Sequence, residues 1–322
     1  MFVKDVFALG VKMGVKVDPR GEKGVQKYLG RMKRLFDDLP ANEKKYFDTE
    51  KLENPYPDSG IHFANPKIKV KRVLAGIDIG AGDILVASQL NERDKPIDLV
   101  IAHHPEGKAL ANLHEVMEMA VDIHQSLGIP VHLSEKIMEE RIREVGRSLH
   151  AANHYQVVNV AELLKVNFIN THTITDNLVY NFINELLKKK KPETMRDIID
   201  TLMEIPEYQE AKRLGCGPVI FSGSPTHRVG KYVIEMTGGT EPSVKLYQEI
   251  SRFGISTIIG MHMREQSREK ANEQHLNIVV AGHMSSDSLG MNLFLDELEK
   301  KGIEVVTCGG LIRVSRNKQS KK

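Results

Sequence analysis

The 322-residue chain has no tryptophan, two cysteines and only 6% aromatic residues. So few flat rings give little basis for stacking nucleic-acid bases. Cys216 and Cys308 stand far apart, in no Cys-x-x-Cys spacing. Neither a disulfide framework nor a thiolate zinc site is expected, and the expected compartment is a reducing cytoplasm. Charge of one sign is also missing: 45 Lys and Arg against 43 Asp and Glu leave +2. That is too small a field for general nucleic-acid binding. No apolar run reaches the roughly 18 residues of a spanning helix. The opening Met1-Phe2-Val3-Lys4-Asp5-Val6 has no charged segment followed by an apolar one, so neither secretion nor a membrane partner is expected. Basic residues crowd only the end, at Arg313, Arg316, Lys318, Lys321 and Lys322, and residues 313–322 read as a disordered basic tail.

What is present is the alternation of an α/β protein. Hydrophobic content of 41% and charged content of 27% are globular values. Residues 1–54 read as helical, with Val6, Leu9 and Met13 on one face and Tyr28, Met32, Leu35 and Phe36 on another. The proline-rich stretch 54–60 marks a boundary. Beyond it, short apolar runs alternate with amphipathic ones. The runs near 72–78, 98–102, 166–170, 219–221, 232–236, 255–260, 277–281 and 303–307 read as strands, mainly parallel. One helix is expected over 109–127, a second capped by Ser134, and another starting near Pro242. The lysine run 188–191 marks the middle boundary, which gives lobes over 55–190 and 191–312. The Gly80-Ala81-Gly82 and Thr237–Thr240 turns read as tight turns before helices, with anion binding at a helix start the second option.

Three strands end in histidine: Ile101-Ala102-His103-His104, Ile169-Asn170-Thr171-His172 and Val280-Ala281-Gly282-His283. The ends of parallel strands share one edge, where α/β proteins bind ligands. Asp176 and Asp287 each follow a histidine by four residues, one helical turn later on the same face. Imidazole with carboxylate suits zinc, iron or manganese. His103, His104, Asp176, His283 and Asp287 make five ligands, one more than a closed tetrahedral site uses, so two divalent ions are expected. The other histidines, including His114, His124, His132, His150 and His154, read as surface or core residues. Asp78, at a strand end, reads as a supporting or structural group.

These segments resemble the motifs of the NIF-three-like family, the GTP cyclohydrolase I type two homologues. They are the strand ending His103-His104-Pro105, the segment Thr171-His172-Thr173-Ile174-Thr175-Asp176, and Gly282-His283-Met284-Ser285-Ser286-Asp287. Pro57-Asp58-Ser59-Gly60-Ile61 is similar to the family's Asp-Asn-Val-Gly segment. The resemblance implies two similar, interlocked α/β lobes with mainly parallel sheets, a dinuclear metal site between them, and ring-shaped hexamers. Against the family pattern, Asp287 stands where glutamate is usual. Residues 115–165 form a helical insertion, residues 1–54 form a helical extension, and Ile259-Gly260-Met261-His262 replaces a Thr-Gly-Glu segment.

The expected function is a metal-dependent hydrolase using metal-bound hydroxide on a nucleotide-like or heterocyclic small molecule. His172 or His262 would carry protons. The alternative is a non-catalytic metal-binding or regulatory scaffold. Asp-His-His phosphodiesterase chemistry ranks below both, because Ala102 stands where its aspartate would be.

Overall fold

The computed structural model describes residues 1–317. The chain opens with helices α1 (Val3–Lys16), α2 (Gly21–Asp38) and α3 (Ala41–Lys44). Then come β1 (Ser59–Phe63), β2 (Arg72–Gly76), α4 (Ala81–Glu92) and β3 (Leu99–Ala102). Helices α5 (Gly107–Ala111), α6 (Leu113–Val116), α7 (Met119–Ser126), α8 (Val131–His150) and α9 (Gln156–Leu164) lead to β4 (Phe168–Thr171) and α10 (His172–Lys190). The second half runs α11 (Met195–Leu202), α12 (Pro206–Arg213), β5 (Val219–Ser222), β6 (Lys231–Glu235), α13 (Leu246–Arg252) and β7 (Ile255–Gly260). It ends with α14 (Glu265–Glu273), β8 (Asn277–Val280), α15 (His283–Lys300) and β9 (Glu304–Thr307).

Two sheets form, in the orders β1-β4-β3-β2-β9 and β5-β8-β7-β6. In each, the first strand is antiparallel to its neighbour and the rest are parallel. Apart from β9, the second sheet repeats the order of the first. Strand β8 therefore corresponds to β4, and α15 to α10. Strand β3 is entirely buried, as its uninterrupted apolar run requires of a central parallel strand.

Helices α10 and α15 form a middle layer between the sheets. Leu178 of α10 and Phe294, Leu295 and Leu298 of α15 pack with Val73, Leu99 and Ile101 of the first sheet. Val179, Ile183 and Leu187 of α10 and Leu289 of α15 pack with Ile234, Ile259 and Val279 of the second. A helix covered on both sides is apolar around most of its girth. Both helices bury apolar residues toward each sheet, and this interlocks the lobes. Outside the first sheet, Ile84 and Ala87 of α4 and Val157, Val158 and Ala161 of α9 cover Leu74 and Val100. Leu246, Tyr247 and Ile250 of α13 and Ala271 of α14 do the same for Val233, Ile258 and Ile278.

Several expectations change. Strand 303–307 joins the first sheet, because β9 pairs with β2. The N-terminal segment is helical, and Val3 and Val6 of α1 lie in the first-sheet core. The stretch 109–127 is three short helices rather than one. Ser134 does not cap α8; it is buried within the helix against His124. Helix α13 starts at Leu246, not near Pro242. Arg313 and Arg316 are held in place, not disordered: they pair with Asp296 and Glu207. The remainder of the expected tail, from Lys318, lies outside the described residues. Among the described residues, no helix is long and apolar enough to cross a membrane.

Candidate metal centre

The histidine-ended strands do not share one edge. Strands β3 and β4 are neighbours in the first sheet, whereas β8 lies in the second. Their ends meet because the two lobes face each other across α10 and α15. His172 and His283 are the first residues of those two helices, and Asp176 and Asp287 lie one turn on.

Asp287 is at the middle of the cluster, with its side chain fully screened from solvent. Its Oδ1 is 3.5 Å from His103 Nε2, and its Oδ2 is 3.4 Å from both His104 Nε2 and His283 Nε2. Asp176 Oδ1 is 3.5 Å from His103 Nε2. His172 Nε2 is 4.0 Å from Asp176 Oδ2, and its ring centre is 5.0 Å from that of His103. Three donor groups result: His103-His104-His172, His104-His283-Asp287 and His103-Asp176-Asp287. All five residues expected as ligands are brought together. His172, expected as a proton carrier, joins their donor groups. His262 does not, although its ring centre is 4.6 Å from that of His283.

Other residues fix which nitrogen of each ring points inward. His103 Nδ1 lies 2.9 Å from Thr175 Oγ1, whose hydroxyl donates to the Thr171 carbonyl. Thr175 therefore accepts from Nδ1–H, which leaves the His103 Nε2 lone pair facing the cluster. His104 Nδ1 lies 2.7 Å from Asp78 Oδ1, and His172 Nδ1 lies 2.8 Å from Asp58 Oδ2. Asp58 also accepts from Thr173 Oγ1 at 2.6 Å. A ring that donates Nδ1–H to a carboxylate is the usual support of a metal-bound histidine. Sequence reasoning left Asp58 and Thr175 out of the site. Their signals were local: Asp58 opens a family-like segment, and Thr175 lies between His172 and Asp176.

The donor set fits divalent cations. Asp176 Oδ1 and both oxygens of Asp287 are buried and have no hydrogen-bond partner among the described residues, which is costly for a carboxylate. The separations of 3.4–3.5 Å are too long for good hydrogen bonds. They are close to the ~3.3 Å between neighbouring ligands that 2.0–2.1 Å bonds give in a tetrahedral site. Burial pushes His103 and His283 down to about 4, so both present neutral nitrogens. Burial also opposes charge on His104, but Asp287 and Asp78 outweigh it and lift that ring to about 9. Burial, then the charges of Asp287 and Asp58, hold the Asp176 carboxyl well above the usual carboxylate range. For Asp287, burial is outweighed by the surrounding imidazoles, His103 first, and its pKa falls far below that range. One carboxylate cannot neutralise its neighbour, which is the electrostatic setting that cations relieve.

A cleft opens beside the cluster, lined by Asp176, Glu235, Glu241, His262 and the turn Thr237–Thr240. His262 is half-exposed and its Nδ1 lies 3.2 Å from Glu241 Oε1. Gly239 is required by packing: a side chain there would strike Val116 and the Leu113 carbonyl. At the other glycine turn, the Gly80 N–H is taken by Asp83 Oδ2 at 2.9 Å.

No protein-family model matches the sequence, and no curated protein is significantly similar to it. Solved structures are similar. A NIF3 superfamily protein from Sphaerobacter thermophilus has a TM-score of 0.70 and 28% identity over 79% of this chain and 92% of its own. Reduced HcgD from Methanocaldococcus jannaschii has a TM-score of 0.52 and 14% identity over 84% of this chain and 97% of its own; that likeness concerns the fold alone. The two-sheet architecture and the likeness to the Sphaerobacter protein support a NIF3-like family assignment for this chain.

Proposed function

We propose that the chain is a metal-dependent hydrolase with two divalent ions at the lobe junction. The single observation behind this is Asp287, whose two buried oxygens lack hydrogen-bond partners and face three imidazole nitrogens. His103, His104, His172, Asp176, His283 and Asp287 would hold the ions. When bound, such ions supply Lewis acidity and lower the pKa of water toward neutrality.

The chain's own residues do the rest. Asp58, Asp78 and Thr175 hold the rings in the tautomers that present Nε2. His262 keeps Nδ1 on Glu241 and leaves Nε2 free at the cleft to move a proton to or from substrate. The cleft brings a nucleotide-like or heterocyclic small molecule against Asp176. The reading includes a cytoplasmic homo-oligomer, with a hexamer as the family resemblance implies.

The test compares wild type with His104→Ala by elemental analysis and by turnover of a phosphoester, nucleotide and cyclic-amide panel. Two metals per chain and turnover in the wild type, both reduced in the variant, support the reading. Two metals with no turnover favour a non-catalytic metal-binding scaffold.

A further inference from the structure

Glu235 ends β6, opposite Gly260 of β7, and lines the cleft. Its Oε1 is buried and has no hydrogen-bond partner among the described residues. The neighbouring Glu241 is the opposite case. It accepts from Ser267 Oγ at 2.6 Å, from the Arg264 backbone N–H at 2.7 Å and Nε at 3.1 Å, and meets His262 Nδ1 at 3.2 Å. The protein thus satisfies one carboxyl and leaves the other, on the same cleft, with a bare oxygen. A buried polar atom without a partner costs on the order of 1–3 kcal/mol, and an occupant offering hydrogen bonds removes that cost.

The rest of the lining narrows the occupant. Among the described residues, no lysine or arginine lines the cleft, so its described side chains do not attract an anion. Ile123, Val233, Met236, Met261 and Pro242 give apolar walls, which suit the faces of a ring. A carboxyl offers two oxygens side by side. When protonated it donates one hydrogen bond and accepts another; when ionised it accepts two. An N=C–NH2 edge complements both states, as the neutral aminoheterocycle or as its protonated form. We propose that the cleft takes an amino-substituted nitrogen heterocycle and that Glu235 reads its N=C–NH2 edge. Burial and the Glu241 charge, which push the Glu235 carboxyl up to about 8, agree with the protonated pairing near neutral pH.

This inference deepens the hydrolase reading and rests on it for the second end of the substrate, the end that reaches the cluster. The ring-recognising end is tested by binding alone. Calorimetry on the full chain compares 2-aminopyrimidine with pyrimidine, which lacks the amino group. The expected result is at least tenfold tighter binding of 2-aminopyrimidine to wild type, with the preference lost in Glu235→Leu. Equal binding of the two, no binding of either, or a preference that survives Glu235→Leu would overturn the proposal. The wild-type comparison does not depend on how well a variant folds. Elemental analysis of the same samples separates the two readings. Two metals per chain without amino preference sinks this inference only, and amino preference without metal sinks the hydrolase reading only.

Discussion

Gly290 of α15 lies directly against the backbone carbonyl of Thr175 on α10, so a Cβ at position 290 would overlap that oxygen. The contact is one residue from Asp176 and three from Asp287. It lets the two helices approach closely enough for both carboxylates to face His103. Gly290→Ala is expected to wedge them apart, costing about 2–4 kcal/mol of stability because rigid backbone must move. Metal affinity should fall with it. Thermal unfolding and metal titration check this; an unchanged Tm would show that the helices shift freely.

Asp58 orients His172 and is itself buried. Asp58→Ala is expected to weaken metal binding by roughly 10–100-fold, the usual cost of losing a carboxylate behind a ligating histidine. Competition with a metal-sensitive dye measures it. Undiminished affinity would remove His172 from the donor set.

Metal removal should destabilise the fold. Ions bound at about 100 times their dissociation constant contribute roughly 2.7 kcal/mol per site, and without them two buried carboxyls face each other. Dialysis against a chelator should lower the Tm, and zinc or manganese should restore it.

His124 gives a pH prediction away from the cluster. It is buried, with Nδ1 2.8 Å from Ser134 Oγ, and burial pushes it from 6.5 down to about 4. Between those values the unfolded chain binds the proton and the folded chain does not. Its contribution is therefore present above pH 6.5 and lost as pH falls toward 4, on the order of 3 kcal/mol. Melting curves across that range should slope less steeply for His124→Gln than for wild type. Parallel slopes would place the proton elsewhere.

Arg316 makes a two-pronged contact with Glu207, at 2.7 and 2.8 Å. The Glu207 side chain is fully buried. Arg316→Ala leaves that carboxylate with Asn292 Nδ2 as its remaining side-chain donor, at an expected cost of about 3 kcal/mol. Urea unfolding tests it. A loss below about 0.5 kcal/mol, the size of a surface pair, would mean that the C-terminal segment adds little.

The positions of the strands and long helices were legible because they depend on local periodicity. Leu99–Ala102 reads as a buried strand from its run alone, and Leu178, Phe182 and Leu186 recur at helical spacing. The short breaks in 109–127 were not legible, since continuous apolar spacing hides a chain that bends to pack on its neighbours. The placement of β9 was equally hidden: a strand's apolar pattern does not name its partner. The basic tail misled for a related reason, because the carboxylates that hold Arg313 and Arg316 come from distant elements.

For the site, the sequence by itself determined its local units: paired histidines at one strand end, and His-x-x-x-Asp at the starts of two helices. Fixed helical spacing makes each a unit wherever the helix lies. Only the tertiary structure decided that the units meet across two sheets, that Asp287 is their centre, that Asp58 aims His172 from 114 residues away, and that Glu235 is left without a partner beside them. These are contacts between segments distant in sequence. They arise from how α10 and α15 bury apolar surface on both sides, a choice that no local pattern encodes.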